Sequence, residues 1–259
     1  MRLILDPPCD GAWNMAVDQA ILDGLEPYDT PVLRFYSWAE PTLSLGYFQP
    51  YSGRTGHRSS RPCDVVRRPS GGGAILHHHE LTYCLVIPFA QLAQFPAHGR
   101  RGLYRLVHGA AADALSGLGV TLERAGTSEE SPAGPTRAPA PFLCFQHITP
   151  EDGLVAGRKV LGSAQRRTRV GLMQHGSLLW CRSDAAPELP GLVDLCPHIG
   201  RTAEALQSAF REAWQAAILD RLRPKIGDAA PSQLQIAERE RANGLVQQRY
   251  RNDAWTRRR

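Results

Sequence analysis

Two residues stand out as capable of covalent chemistry, Cys144 and Lys159. Cys144 leaves the stretch Pro139-Ala140-Pro141-Phe142-Leu143-Cys144-Phe145, fifteen residues before Lys159. A thiolate is a strong nucleophile, and a neighbouring ammonium stabilises it. Of the 30 Lys+Arg residues only Lys159 and Lys225 are lysines. A chain so biased uses a guanidinium wherever a positive charge suffices, so a retained lysine marks a place where an amine is needed. Lys159 lies in Gly157-Arg158-Lys159-Val160-Leu161-Gly162-Ser163-Ala164-Gln165, where Gly162, Ser163 and Ala164 leave room for a ligand. Lys225, in Arg223-Pro224-Lys225-Ile226-Gly227, reads as a polar surface turn. By spacing alone, a cysteine such as Cys144 is more often a packed core residue than a nucleophile.

A second candidate is Arg67-Arg68-Pro69-Ser70-Gly71-Gly72-Gly73-Ala74-Ile75-Leu76-His77. Three consecutive glycines let backbone N–H groups approach a phosphate, carboxylate or oxyanion, and the arginines can hold anions in bidentate fashion. A bare triplet would favour a plain flexible loop. The segment is neither a P-loop, lacking Gly-Lys-Ser/Thr, nor a dinucleotide fingerprint. His77-His78-His79 invites a metal reading, but neighbours in an extended segment point to opposite faces. No metal is therefore expected, and His77 is read as closing the glycine loop.

Together these stretches resemble the lipoate–protein ligase and octanoyltransferase superfamily, which shares its catalytic domain with biotin ligases. The arginine-glycine motif spans Arg67 to His77 and the lysine motif Gly157 to Gln165. Gln174-His175-Gly176-Ser177-Leu178-Leu179, Asn14-Met15-Ala16-Val17-Asp18 and Asp253-Ala254-Trp255 resemble further family signatures. Cys144-Phe145, Glu80-Leu81-Thr82-Tyr83 and Gly162-Ser163-Ala164-Gln165 are similar to the cysteine-dependent octanoyltransferase branch. Gly73 departs from it, standing where that branch often has Arg. The chain lacks the G-R-G-R-x-G pattern of biotin ligases.

The resemblance implies an α+β fold of mixed sheets flanked by helices, of the class II aminoacyl-tRNA synthetase/biotin synthetase-like kind, as a single catalytic domain over residues 1–259 without an accessory domain. It implies transfer of an octanoyl group from acyl carrier protein to a lysine of a lipoyl-accepting protein, such as glycine cleavage H protein. Cys144 would form the acyl-enzyme and Lys159 assist it. Arg68, Ser70, Gly71, Gly72, Gly73, Ala74, His77, Gly162, Ser163 and Ala164 would bind substrate. The N–H groups near Gly71–Gly73 would meet the oxyanion, and Leu76 and Leu161 would wall the acyl tunnel. No cofactor is expected. The rival enzyme is an ATP-dependent lipoate ligase using ATP and Mg. The rival outside enzymes is a non-catalytic module that binds a carrier protein or nucleic acid.

The elements that must position these groups are legible as local patterns. Strands are expected at Leu3–Leu5, Pro31–Tyr36, Thr42–Gly46, Val65–Arg67, Leu81–Ile87 and Val120–Glu123, and as a meander at Leu154–Val155, Lys159–Leu161 and Val170–Trp180. Helices are expected at Asn14–Leu22, Gly102–Leu118, Thr202–Leu222 and Ser232–Ala242. Residues 126–141 read as a long loop. A chain of 259 residues with 42% hydrophobic and 21% charged residues buries a real core. No apolar run suits a membrane span or a signal peptide, and the six cysteines form no C-x-x-C pair, so a cytoplasmic protein is expected. The net charge of +5 concentrates in the arginine-rich tail and around Arg54, Arg58, Arg61, Arg67 and Arg68. That charge suits an acidic protein partner better than nucleic acid.

Overall fold

The computed structural model describes residues 1–95, 99–126, 141–199 and 204–259. The strands are β1 (Arg2–Leu5), β2 (Val32–Tyr36), β3 (Thr42–Leu45), β4 (Asp64–Arg67), β5 (Ile75–His77), β6 (Glu80–Pro88), β7 (Glu123–Arg124), β8 (Gly153–Val155), β9 (Arg158–Arg167), β10 (Gly171–Leu179) and β11 (Ala230–Ser232). The helices are α1 (Gly11–Asp23), α2 (Phe89–Leu92), α3 (Gly99–Ser116), α4 (Leu192–Leu195), α5 (Glu204–Ile226), α6 (Ile236–Leu245) and α7 (Asp253–Thr256). Eight strands form one sheet in the order β11-β1-β2-β6-β10-β9-β8-β7, and β4-β3-β5 form a second. β1 runs parallel to β11 and β2, and antiparallel pairing prevails from β2 onward. The class is α+β, with mixed sheets flanked by helices.

β6 and β10 are buried along their whole length because helices cover both faces of the large sheet. Alternation sorts their side chains. Leu33, Phe35, Tyr83 and Leu85 meet Leu103, Val107, Phe210 and Trp214 of α3 and α5. Val32, Tyr36, Cys84 and Val86 meet Met15, Ala16 and Ile21 of α1, with Ala242 of α6 beyond. Each large apolar side chain so buried contributes about 1.5–3 kcal/mol. α1 starts where the Asp10 side chain accepts from the Trp13 N–H at 2.8 Å. The small sheet packs its own apolar layer, Leu43, Leu45, Leu76, Leu143 and Phe145.

Several expectations change. Val120 to Leu122 lie outside β7, which keeps only Glu123 and Arg124. β9 runs far beyond Leu161, because pairing with β10 continues to Arg167. Ser232 belongs to β11, which pairs with β1, so the helix expected from Ser232 begins at Ile236. Lys225 is exposed in the last turn of α5, not in a turn between elements. The long-loop expectation falls on 127–140, outside the described residues.

Candidate active site

Strand-like pairing with the glycine segment positions Cys144. The Ala74 N–H donates to the Phe142 carbonyl at 2.9 Å, and the Cys144 N–H donates to the Ala74 carbonyl at 2.7 Å. This bridge sets Leu143 beside Ala74, and a short 3-10 turn, Cys144–Gln146, follows. Two glycines permit the close approach. A Cβ on Gly73 would stand 3.1 Å from the Cys144 nitrogen, and Gly72 has φ +96°, which an L side chain rarely adopts.

Lys159 reaches the same cysteine from β9. The register between β8 and β9 slips between Gly153 and Leu154, which face Leu161 and Lys159 respectively. The slip breaks the two-residue alternation, so Lys159 lines the cavity while Leu161 packs in the core. A Cβ on Gly162 would lie 2.8 Å from Lys159 Cε, so Gly162 makes room for the lysine stem. Lys159 Nζ lies 3.8 Å from Cys144 Sγ. It donates to the His147 carbonyl at 3.1 Å and the Cys144 carbonyl at 3.4 Å, and pairs with Asp152 Oδ2 at 2.7 Å. The Lys159 side chain is only 3% exposed, so the carboxylate is its charge partner inside the protein. Asp152 Oδ2 also accepts from the Thr149 N–H at 2.7 Å and hydroxyl at 2.9 Å.

The arginines beside the glycines are buried and direct donors to backbone carbonyls. Arg67 is fully buried and donates to the carbonyls of Gly46, Gln49 and Thr256. Arg68 donates to the carbonyls of Ser44 at 2.8 Å, Gly71 at 2.8 Å and Gly73 at 2.6 Å. Burial without a carboxylate pulls the Arg68 pKa down to about 10. Its Nε, shielded from water, has no partner. No hydrogen bond occupies the N–H of Gly71, Gly72 or Gly73 among the described residues. Arg68 on the Gly71 carbonyl fixes the peptide plane that carries the Gly72 N–H, and the Tyr47 N–H on the Ser70 carbonyl fixes the plane that carries the Gly71 N–H.

Two buried polar chains brace the cavity walls. Ser70 Oγ lies 2.5 Å from His175 Nε2, and His175 Nδ1 lies 3.2 Å from Asp18 Oδ2. Asp18 also takes Arg34 at 2.6 Å and the Tyr36 hydroxyl at 2.8 Å. Burial opposes ionisation of Asp18, but His175 and Arg34 together hold its carboxyl below the usual range. On the other wall, burial pushes the His108 pKa down to about 4. As a neutral ring, His108 donates Nδ1–H to the Glu151 carbonyl at 2.6 Å and accepts the Ser163 hydroxyl at Nε2, 2.7 Å away. Tyr83 lies 2.7 Å from the same Ser163 oxygen.

The cavity measures about 390 Å³. Cys144, Lys159, Arg68, Gly71, Gly72, Gly73, His77, Gly162, Ser163 and Ala164 all line it. Ser70 and Ala74 stand behind the lining, Ser70 on His175 and Ala74 on the Phe142–Cys144 backbone. His77 faces the cavity but is held by Ser44 at 2.7 Å, Glu80 at 2.6 Å and a stacked Trp38. His78 and His79 stack on each other at 3.5 Å in the bend between β5 and β6, rather than splaying to opposite faces. Among the described residues no group of three His, Cys, Asp or Glu side chains is arranged to hold a metal ion. Leu76 and Leu161 do not wall the cavity, since both point into cores; Met15, Tyr36 and Ile75 take that place. Asp152 and His108 carried no sequence signal. Asp18 and His175 sat in quoted motifs, but neither carried a chemical role there.

The chain that carries this arrangement is similar to known proteins. Residues 10–187 match the lipoyl protein ligase A/B catalytic domain, and the chain belongs to that family. The octanoyltransferase LipM of Carboxydothermus hydrogenoformans is 38% identical over 172 residues, covering 65% of this chain and 61% of that protein. The octanoyltransferase LipM of Kyrpidia tusciae is 32% identical over 286 aligned residues, covering 98% of this chain and 97% of that protein. The chain thus spans under two thirds of the first relative's length and nearly all of the second's. Among solved structures, a lipoate-protein ligase A bound with ATP superposes with a TM-score of 0.71 at 19% identity, covering 99% of this chain and 98% of that one. A bipartite lipoate protein ligase from Thermoplasma acidophilum gives 0.69 at 17% identity, covering 99% and 95%. At such identities the likeness is one of fold.

Proposed function

We propose that this chain transfers an octanoyl group from an acyl carrier protein to a lysine of a lipoyl-accepting protein, through an acyl-enzyme on Cys144. The observation that carries this reading is Lys159 Nζ at 3.8 Å from Cys144 Sγ on one cavity. The 38% and 32% identical octanoyltransferases support it.

In the first step the Cys144 thiolate attacks the thioester carbonyl. The tetrahedral oxyanion collapses, the carrier thiolate leaves and takes a proton from solvent, and an octanoyl thioester remains on Cys144. In the second step the acceptor amine attacks that thioester and gives up a proton to solvent. An amide forms and the Cys144 thiolate departs. Lys159 faces the sulfur whenever it is negative, at the start and at the end. An ammonium has three donors, and here they are directed at Asp152, the His147 carbonyl and the Cys144 carbonyl, with the Cys144 sulfur 3.8 Å away. Lys159 therefore acts by charge and position. The unoccupied N–H groups of Gly71–Gly73 are the candidates for the oxyanion, a contact worth about 3–4 kcal/mol per donor in other enzymes.

A thioester is already activated, so the reaction needs neither ATP nor Mg. Glycine cleavage H protein is the acceptor we would test first. All six cysteines are free thiols, and no helix among the described residues is long and apolar enough to cross a membrane. Both features support work in the reducing cytoplasm. The test is to incubate the protein with octanoyl-carrier protein and weigh it. Wild type should gain one octanoyl group and Cys144→Ser none. Wild-type transfer by the serine variant, or pyrophosphate release on adding ATP and lipoate, would overturn the reading.

A further inference from the structure

A guanidinium–aromatic surface adjoins residues that line and support the cavity. Arg258 lies 3.9 Å from the ring centroids of both Tyr47 and Trp255, which meet each other edge to face at 5.9 Å. Arg249 covers Trp255 at 4.0 Å, and Arg166 approaches Tyr47 at 5.5 Å. Arg259 lies 5.3 Å from the ring of Phe48, which is 66% exposed. Among the described residues no carboxylate pairs with Arg166, Arg249, Arg258 or Arg259; Asp253 is engaged by Arg257 at 3.1 Å. The patch adjoins the cavity along the chain. Arg166 follows Gln165, which lines the cavity, and the Tyr47 N–H donates to the carbonyl of Ser70, just before the glycines.

Stacking fixes the guanidinium planes of Arg249 and Arg258, and the exposed Arg166 and Arg259 present N–H groups to carboxylates at the surface. The rings already carry cations on their faces, so they are poor platforms for nucleic-acid bases, which bind by stacking on open rings. We infer that this surface docks the acyl-thioester donor, an acidic carrier protein. The inference rests on the transfer reading above. Reach separates donor from acceptor. An acceptor lysine is short, so its domain must cover the mouth itself. A carrier delivers its thioester on a long flexible arm, so it can bind to one side, where the patch lies.

The test compares two octanoyl donors, the loaded carrier protein and free octanoyl-pantetheine. Arg166→Glu and Arg249→Glu should each lower kcat/KM for the carrier on the order of tenfold and flatten its salt dependence. Acylation by octanoyl-pantetheine should stay within about twofold of wild type. The Arg→Lys variants, which keep the charge but lose the planar fork, should recover part of the carrier activity and guard against misfolding. Equal losses with both donors, or no loss with the carrier, overturn the docking assignment. So does a single-stranded oligonucleotide that binds wild type more tightly than the carrier and loses that binding in the Glu variants. If wild type takes an octanoyl group from neither donor, the transfer reading fails. Docking is then read by titrating unloaded carrier, where equal affinity of wild type and Arg166→Glu overturns it.

Discussion

Asp152→Ala should be among the most damaging single changes near the site that leaves every reacting group in place. The carboxylate is 6% exposed and meets Lys159 Nζ at 2.7 Å, with two Thr149 donors on the same oxygen. Truncation leaves an ammonium buried at 3% exposure without its counter-charge. Breaking one side of such a pair costs about 3–5 kcal/mol. In a chain of this size each kcal/mol lowers Tm by about 2–4 °C, so a fall of roughly 6–20 °C is expected. The apolar double variant Lys159→Met/Asp152→Leu removes both charges and should recover most of that loss, because neither ion is left unpaired. Octanoyl transfer to Cys144 should stay lost in the double variant, since the cation beside the sulfur is gone. Thermal and urea unfolding measure the first quantity, and single-turnover mass measurement the second. Wild-type stability in Asp152→Ala, or a double variant as unstable as the single one, would refute the claim that this pair is a buried, mutually dependent unit.

Two further outcomes follow from the same geometry. Lys159→Arg keeps the charge but brings a planar group into a space where even a Cβ on Gly162 would crowd the lysine stem at 2.8 Å; acylation should fall about 100-fold with charge retained, and unchanged turnover would contradict a positioning role. His108 should set an acid dependence of stability. Burial lowers its pKa to about 4 from an unfolded value of about 6.5, so between those pH values the unfolded chain binds a proton that the native one refuses. Stability should fall by about 3 kcal/mol as pH drops from 6.5 to 4 and show no such slope above 6.5. Urea unfolding at both ends of that window should show a flatter slope in His108→Gln; an identical slope would count against the neutral buried ring.

Local patterns carried well where the partner of a residue was its own chain neighbour. The apolar run of β6, closed by Pro88, and the apolar stripe of α3 could be read directly, because a short apolar run before Pro suits a buried strand and the helical period fixes which side chains share a face. Register and distant partners could not. β9 shows only Lys159–Leu161 as a strand in the sequence, because its far end, Gln165 to Arg167, is polar and looks like loop until β10 pairs with it. β11 pairs with β1 across more than two hundred residues, and three residues that end in Pro231 and Ser232 give no strand signal alone. Arg67 and Arg68 looked like surface anion binders; their burial depends on carbonyls from Ser44, Gly46, Gln49 and Thr256 converging on them.

By itself the sequence determined the order of the motifs, and with it the family, the mixed class of the fold and the pair of residues worth testing. These are properties of residue type and local spacing, which one dimension holds. Tertiary structure decided the rest. Fifteen residues of spacing cannot bring Lys159 to within 3.8 Å of Cys144. That contact needs the Ala74–Leu143 bridge on one side and the slipped register of β9 on the other. Nor could sequence choose Asp152 over its acidic neighbour Glu151 as the partner of Lys159. A buried charge must be neutralised by whatever the fold brings within reach, and only the closed chain fixes what that is.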